Sequence, residues 1–211
     1  MPVVLKVPNN WPRNITFLTT PRYSKTIQPN ALQVASSSAS SLPIVKAQRG
    51  SSPTVRIRRI VNPSHPASGQ HGLFAARNLQ SDTFICFYLG FVHSAVETDP
   101  SSNYDLSLNR DSGIGVDATS MGNEARFIND YRGIQDGPNA EFRDCLAEVG
   151  SQLVERRTGV FVLSSGKKGG KRAKGIGKGE EIVVSYGKGF WSHRRTEQDE
   201  TAAAEECSTG T

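Results

Sequence analysis

Cysteine is scarce in this chain, and the few cysteines that it has are scattered. The 211 residues include three, Cys86, Cys145 and Cys207, and none belongs to a CxxC or CxH pair. Isolated thiols argue against a zinc site and against a disulfide framework, and they are typical of a reducing compartment. Cys86 and Cys145 stand in apolar runs, so we expect both to be small buried residues.

Long apolar runs are also missing. No stretch approaches the roughly 20 apolar residues that a transmembrane helix needs. The N-terminus, Met1–Lys6, lacks the basic patch and the apolar segment of a secretory signal. Hydrophobic residues make up 36% of the chain, so part of it is expected to lie outside a packed core. These absences predict an intracellular protein of one domain plus tails, with no membrane partner.

Basic residues exceed acidic ones, and they are concentrated in one place. The net charge is +5, which is compatible with an anionic partner but does not identify one. The glycine-rich segment 164–179 holds six Lys or Arg residues and no acid, and its glycines disfavour a stable helix or strand. Two interpretations stay open: a solvated hairpin loop, or a contact to nucleic acid or another acidic surface. A third use, as an import signal, favours the nucleus over the cytoplasm.

Composition divides the chain into three parts. Residues 1–53 are rich in Pro, Ser, Thr and Asn, and we interpret them as a flexible or extended N-terminal arm. Its scattered apolar residues, such as Trp11 and Phe17, either dock an extended segment on the domain or belong to a disordered arm. Residues 54–195 form the predicted domain, in which order begins near Pro53. Residues 196–211 carry acids without bases around Glu197–Glu206 and are predicted to be a disordered acidic tail.

The predicted domain is mainly β. Short β-branched and aromatic segments alternate with Gly and Pro, which is typical of many short strands. One or two helical turns are predicted over 121–128. The predicted strands are 55–61, 73–76, 83–92, 104–108, 115–118, 139–149, 153–163 and 182–186.

Seven short motifs follow one another in this domain. They are His71-Gly72-Leu73-Phe74-Ala75, Tyr88-Leu89-Gly90, Tyr104-Asp105-Leu106, Val116-Asp117-Ala118, Arg126-Phe127-Ile128-Asn129, Pro138-Asn139-Ala140 and Gly179-Glu180-Glu181-Ile182 leading to Tyr186-Gly187. Each motif alone is weak, but in this order they resemble the SET domain of protein lysine methyltransferases. The resemblance covers the span from about Val55 to Arg195.

The resemblance implies a SET-type β-clip fold of short twisted sheets with a threaded, knot-like substructure. The threaded pieces would be Arg126–Asn139 and Glu181–Tyr186. It also implies an enzyme that transfers methyl groups from S-adenosylmethionine to a lysine of a protein substrate, with a histone tail as one candidate. The cofactor and the lysine would enter from opposite faces and meet in a narrow channel. We expect the chain to act as a monomer.

The resemblance also assigns roles to single residues. Tyr186 would be the central catalytic hydroxyl, and Tyr104 a second channel tyrosine; the plain alternative for each is an ordinary strand tyrosine. The implied cofactor-binding residues are His71, Gly72, Leu73, Arg126, Phe127, Asn129, Asp130 and Trp191. For Trp191, closing over the adenine and capping the core both stay open.

Methyl transfer from a sulfonium to an amine suits these residue types. The reaction moves positive charge from sulfur to nitrogen, so the protein must supply alignment and oxygen dipoles more than a strong base. A tyrosine hydroxyl and backbone carbonyls provide such dipoles through polarised C–H···O contacts. An apolar channel beside a sulfonium lowers the pKa of the incoming lysine and thereby frees its nitrogen for attack.

The chain departs from the family pattern at three points. Asn129-Asp130-Tyr131-Arg132 stands where family members have Asn-His followed by Ser-Cys, so Asp130 either pairs with the cofactor's ammonium or weakens cofactor binding. No cysteine cluster flanks the domain, which puts histone specificity in question. Val184 occupies a position often held by Phe or Tyr, where a smaller residue would admit more methyl groups. The alternative function is therefore a catalytically inactive SET-like module that binds a protein partner or chromatin.

Overall fold

The computed structural model describes residues 7–28, 30–35, 42–46, 50–164 and 175–187. Within these residues the secondary structure is almost entirely short β-strands, so the mainly-β prediction is confirmed. The same residues contain the 3-10 helices Ala95–Glu97 and Glu124–Phe127. None of the helices in the described part has the length and apolarity that crossing a membrane would require.

The strands of the described residues are distributed over several small sheets rather than one large one. Their bounds are β1 (Thr16–Phe17), β2 (Arg22–Tyr23), β3 (Gln33–Ala35), β4 (Ile44–Lys46), β5 (Val55–Arg59), β6 (His71–Ala75), β7 (Phe84–Phe87), β8 (Phe91–Ser94), β9 (Asp105–Asn109), β10 (Ile114–Asp117), β11 (Met121–Gly122), β12 (Asn129–Asp130), β13 (Ala140–Glu148), β14 (Leu153–Val162) and β15 (Val183–Val184).

The longest pairing is the antiparallel hairpin of β13 and β14, as the sequence predicted. It runs from Ala140↔Val162 to Glu148↔Val154 without a break in register. The hairpin is the centre of a sheet in the order β3-β14-β13-β4, and β7 also pairs with β14. Local apolar runs and a short connection are sufficient to specify such a pair, because the two strands are neighbours in the chain.

The single strand predicted over 83–92 is instead two strands that belong to different sheets. β7 pairs with β14, whereas β8 pairs with β10 and β2. Between them, Gly90 approaches so closely that an added Cβ would lie 2.2 Å from the carbonyl oxygen of Asp117. The side chain of Asn123 accepts a hydrogen bond from Leu89 N at 3.1 Å. The chain therefore turns at Gly90 because of tertiary contacts, which a run of apolar residues does not reveal.

The described parts of the N-terminal arm are docked on the domain as short strands. These docked strands lie upstream of Pro53, near which order was predicted to begin. β1 pairs with β11, β2 with β8, β3 with β14 and β4 with β13. Unpaired backbone groups at the sheet edges form the hydrogen bonds to these short strands. Such groups can pair with any extended segment, whatever its side-chain pattern.

A contiguous core lies between the sheets. It includes Leu73, Ile85, Val116, Ile128 and Ile182, all 5% exposed or less. The two predicted buried cysteines belong to the buried clusters, and Cys207 lies outside the described residues. Burial raises the pKa of the Cys145 thiol to about 12. Burial also raises the pKa of Cys86, so both thiols remain protonated and act as small apolar groups.

Two short elements bring the predicted site together. The 3-10 helix Glu124–Phe127 lies within the segment 121–128, for which one or two helical turns were predicted, and β11 occupies the start of that segment. The last predicted strand, 182–186, is reduced to β15. β12 and β15 pair in parallel, with Asn129 opposite Val183 and Asp130 opposite Val184.

Candidate active site

The β12–β15 pair is held by side chains as well as by its backbone. Asn139 donates from Nδ2 to the carbonyl oxygen of Glu181 at 2.7 Å and accepts from Val183 N at 2.9 Å. Asn129 donates to the Glu181 carboxylate at 2.8 Å. The other carboxylate oxygen of Glu181 lies 2.9 Å from Nε2 of His65. These amide and carboxylate groups supply hydrogen bonds that so short a strand pair cannot make for itself.

Asp130 connects β12 to the residue that follows β15. Its side chain is 5% exposed and accepts hydrogen bonds from Tyr186 N at 2.8 Å and from the Arg132 guanidinium at 2.8 Å. A buried carboxylate that has both a cation and a backbone N–H as partners is stabilised in its charged form. Asp130 therefore determines where the backbone of Tyr186 lies.

The phenol of Tyr186 reaches back to the same segment. Its hydroxyl donates to the carbonyl oxygen of Ile128 at 2.7 Å. The ring is thus beside the Asn129 stretch, where the sequence predicted it. Because the hydroxyl proton is directed to a carbonyl, the phenol oxygen acts as an acceptor toward any other group that approaches it.

Tyr186 lines two cavities. The first cavity has a volume of about 360 Å³ and is lined by Pro12, Pro66, Ala67, Gln70, His71, Asn103, Tyr104, Arg126, Phe127, Asn129, Asp130, Arg132, Ile134 and Tyr186. The second cavity has a volume of about 290 Å³ and is lined by Tyr88, Asn103, Tyr104, Asp105, Leu106, Ala125, Arg126, Ile128, Phe142, Ser185 and Tyr186.

Both cavities share the residues Asn103, Tyr104, Arg126 and Tyr186. The guanidinium of Arg126 lies over the Tyr104 ring, 4.5 Å from its centroid, and donates from Nε to the carbonyl oxygen of Ala118 at 3.0 Å. A stacked and hydrogen-bonded arginine keeps its position. The shared residues therefore form a fixed partition, and Tyr104 and Tyr186 face both compartments.

The second cavity has a wall that was not predicted from the sequence. Tyr88 donates to the backbone oxygen of Tyr104 at 2.7 Å, and its ring meets that of Phe142 edge to face at 5.5 Å. Burial raises the pKa of Tyr88 well above its usual value, so its hydroxyl stays protonated as a donor. The Tyr88-Leu89-Gly90 motif was the signal available for Tyr88. Phe142 had none, because only the hairpin's packing brings it here.

One carboxylate, that of Asp105, also lines the second cavity. It lies 3.1 Å from Nε2 of His93, whose Nδ1 lies 3.0 Å from the backbone oxygen of Ser94. Burial works against a charged His93, but its two hydrogen-bond acceptors outweigh burial and raise the pKa of the ring. Burial raises the pKa of Asp105 as well. The imidazolium form satisfies both acceptors at once.

The predicted cofactor residues divide into three groups. His71, Arg126, Phe127, Asn129 and Asp130 all line the first cavity. Gly72 and Leu73 do not line it. Trp191 lies outside the described residues.

Gly72 and Leu73 belong to strand β6, which begins at His71, two residues before the predicted strand 73–76. Leu73 is fully buried in the core, and a Cβ on Gly72 would lie 2.7 Å from the Glu181 carboxylate. The glycine thus makes room for Glu181. Val184 is also fully buried and lines neither cavity. Tyr88 and Phe142, in contrast, are among the residues that line the second cavity.

The family model of the SET domain matches residues 70–187. A crystal structure of the Chaetomium thermophilum polycomb repressive complex 2 matches with 26% identity and a TM-score of 0.47, over 66% of this chain and 16% of that chain. A structure of ctPRC2 in an autoinhibited conformation bound to S-adenosylmethionine matches with 24% identity and a TM-score of 0.48, over 72% of this chain and 17% of that chain. This chain therefore spans less than a fifth of the length of either matched chain. No curated protein matches.

Proposed function

We propose, since this chain belongs to the SET-domain family, that it transfers methyl groups from S-adenosylmethionine to a lysine side chain of a protein substrate. The observation that carries this proposal is the pair of cavities that meet at Tyr186 and Tyr104. A two-substrate transfer needs two compartments with a common wall at the reacting atoms. The family match includes both tyrosines and most of the residues that line the cavities.

The first cavity fits the cofactor. Its volume, about 360 Å³, lies within the range of small-molecule sites. Phe127 and His71 supply aromatic surface for an adenine, Asn129 supplies amide hydrogen bonds, and Arg126 supplies a cation for a carboxylate. We propose that these residues and Asp130 hold S-adenosylmethionine, which when bound supplies a sulfonium methyl group.

The second cavity fits a lysine side chain. Leu106, Ile128, Phe142 and Tyr88 give it mostly apolar and aromatic walls, which suit the methylene stem. Desolvation between such walls lowers the pKa of a lysine ammonium and favours the neutral amine that can attack. In this proposal Phe142 and Tyr88 limit the room around the nitrogen, in place of Val184.

Tyr186 is proposed as the catalytic residue at the junction. With its proton donated to Ile128, the phenol oxygen presents negative charge density where positive charge develops during transfer. Polarised methyl C–H groups are acceptable partners for that oxygen. Tyr104 completes the junction, where it restricts the approach of the amine.

Replacing Tyr186 by Phe tests the proposal. We expect methyl transfer from labelled S-adenosylmethionine to a mixture of proteins to fall about 100-fold or more, by analogy with the loss of one preorganised polar group in other active sites. Cofactor affinity should change little, because the ring stays. Tyr131→Phe is the matched control, since it removes the same atom from a nearby residue that lines neither cavity. Undiminished transfer by Tyr186→Phe would defeat the assigned role.

Three finer points belong to the same proposal. We propose a threaded crossing of the segments that contain β12 and β15, which their parallel pairing supports. A histone tail is proposed as the substrate on family grounds, and incorporation of label into purified histones tests it. We propose that segment 164–179 contacts nucleic acid and directs the protein to the nucleus. Residues 165–174 of this segment lie outside the described part. Phosphate contacts there would make nucleic-acid affinity fall steeply with salt.

A second function is favoured by one observation. The carboxylate of Asp130, which stands where the family has histidine, already binds Arg132 and Tyr186 N. If Asp130 binds only groups of the protein and does not contact the cofactor, the site would suit an inactive SET-like module that binds a protein partner or chromatin. Calorimetry separates the two functions, because absence of S-adenosylmethionine binding at high concentration supports the inactive module.

A further inference from the structure

The first cavity includes a residue from the N-terminal arm. Pro12 lines it together with Arg126 and Phe127. Pro12 lies far upstream of the matched family segment, which begins at residue 70. The cavity described above is therefore completed by a part of the chain that the family motifs do not contain.

Trp11, the neighbour of Pro12, packs directly on a residue of the cavity. Its ring meets the ring of Phe127 edge to face, with centroids 5.4 Å apart and an angle of 85°. On another side, Trp11 packs on Phe17 at 5.1 Å. His71 approaches Phe127 at 6.0 Å. Phe127 thus contacts both an arm residue and a strand residue, and edge-to-face contacts of this kind favour a defined ring orientation.

The arm is held in this position at several points. The indole Nε1 of Trp11 donates to the carbonyl oxygen of Ile15 at 2.7 Å, which closes a tight loop around Pro12. The side chain of Asn10 donates to the carbonyl oxygen of Ile57 at 2.9 Å. Hydrogen bonds on both sides of Trp11 therefore hold this part of the arm in a defined position on the domain.

The pairing of β1 with β11 anchors the arm beside the same 3-10 helix. Thr16 N donates to the carbonyl oxygen of Ser120 at 3.0 Å, and Leu18 N donates to that of Gly122 at 2.7 Å. Only Asn123 stands between Gly122 and the helix Glu124–Phe127. A helix of one turn has little rigidity of its own, so the position of Phe127 depends on what packs against it.

We infer that the arm segment 10–18 is part of the cofactor pocket, and that Trp11 is a positioning residue that orients Phe127. This inference rests on the proposed function for the identity of the ligand. Loss of the indole removes one of the ring contacts of Phe127 and lets that ring turn into the first cavity. Cofactor affinity should then fall, whereas the second cavity, which Trp11 and Pro12 do not line, should keep its affinity for the protein substrate.

The test is calorimetric titration of S-adenosylmethionine into the full chain. We expect Trp11→Ala to raise Kd about tenfold and Trp11→Phe, which keeps an aromatic edge, to restore most of the affinity. Tyr23→Ala is the matched control: it removes an aromatic ring from the same arm, but this ring binds Glu155 and lines neither cavity. With saturating cofactor, the KM for the protein substrate should stay unchanged in Trp11→Ala.

Each outcome decides a separate point. Wild-type affinity in a folded Trp11→Ala variant overturns the inference and leaves the proposed function intact. An equal loss in Tyr23→Ala also overturns it, because the arm would then act only through general stability. No binding by the wild type defeats the proposed function itself. If Trp11→Ala does not fold, Trp11→Leu takes its place with an expected rise in Kd of about fivefold, and an unchanged Kd in that variant overturns the inference equally.

Discussion

The hairpin β13–β14 and the pair β12–β15 are the two extremes of strand pairing in this molecule. The hairpin joins nine residue pairs in one unbroken antiparallel register. The other pair joins two residues of each strand in parallel, across more than fifty positions of sequence. The hairpin is stabilised by the backbone hydrogen bonds between its own two strands. The short pair depends on Asn129, Asn139 and Asp130 for additional hydrogen bonds.

This difference shows how the fold separates scaffold from site. Parallel pairing of distant segments is costly in chain entropy, so a two-residue ladder cannot hold it alone. Buried side chains with several hydrogen bonds provide the missing stabilisation, and they also fix Tyr186 between the two cavities. Local defects should therefore be costly in the short pair and mild in the hairpin.

The largest effect is expected from Asn139→Ala. The substitution leaves the carbonyl of Glu181 and the N–H of Val183 without their side-chain partner. Two such losses should lower the free energy of unfolding by about 2–3 kcal/mol, because an unsatisfied group costs about 1–3 kcal/mol and these partly buried groups fall at the lower end of that range. Denaturant titration of the wild type and the variant measures this loss in the free energy of unfolding. A loss below about 1 kcal/mol would show that the backbone ladder alone holds the pair.

The same substitution at two aspartates gives a matched comparison. Asp130→Asn keeps an acceptor for Tyr186 N but loses the charge that binds Arg132, and we expect a loss of about 1–2 kcal/mol. Asp144→Asn in the hairpin breaks a partly exposed pair with Arg156, and we expect about 0–1 kcal/mol. Unfolding curves of both variants provide the test, and a larger loss at Asp144 would contradict the comparison.

Within the hairpin, Thr158→Val should increase stability. The hydroxyl of Thr158 is buried and has no hydrogen-bond partner in the described part of the chain. Replacing it by a methyl group of similar shape removes the cost of burying it, and the expected gain is about 0.5–1 kcal/mol. Thermal unfolding measures the gain. A decrease in stability would show that the hydroxyl is satisfied after all.

The smallest effect is expected from an exposed carboxylate beside another two-residue pair, β2–β8. Hydrogen bonds from the hydroxyls of Ser24 and Thr26 lower the pKa of Glu97 from 4.5 to about 2. A depressed pKa in the folded state stabilises the fold above pH 4.5, and this stabilisation is lost as the pH falls toward 2. The melting temperatures of wild type and Glu97→Gln should therefore differ at neutral pH and converge only as the pH falls below about 2. A constant difference would contradict this contribution.

Much of the scaffold was predictable because its signals are local. The strands β5, β6, β10, β13 and β14 follow apolar and β-branched runs bounded by turn residues, and the hairpin needed only its own sequence. The docking of the arm was not predictable in this way. Its strands are two or three residues long. They pair with the domain through backbone hydrogen bonds and need no regular alternation of apolar and polar side chains.

The candidate site was predictable only in part. Motif order brought Tyr104, Tyr186, His71, Arg126, Phe127, Asn129 and Asp130 to the two cavities. Gly72 and Leu73 do not line the first cavity, because alternation along β6 turns Leu73 into the core and Glu181 occupies the space beside Gly72. Tyr88 and Phe142 were missed because their contact joins segments more than fifty residues apart, which pack together only through the pairing of β7 with the hairpin.

By itself, the sequence determined the β-rich class, the family and the residue types that meet at the junction, because these depend on short motifs and local propensity. Only the tertiary structure decided that Asp130 binds Arg132 and Tyr186 N, that Tyr88 and Phe142 line the second cavity, and that Pro12 lines the first. Those arrangements arise where segments far apart in the chain pack together. No local pattern encodes such contacts, since their energy exists only after the chain has folded.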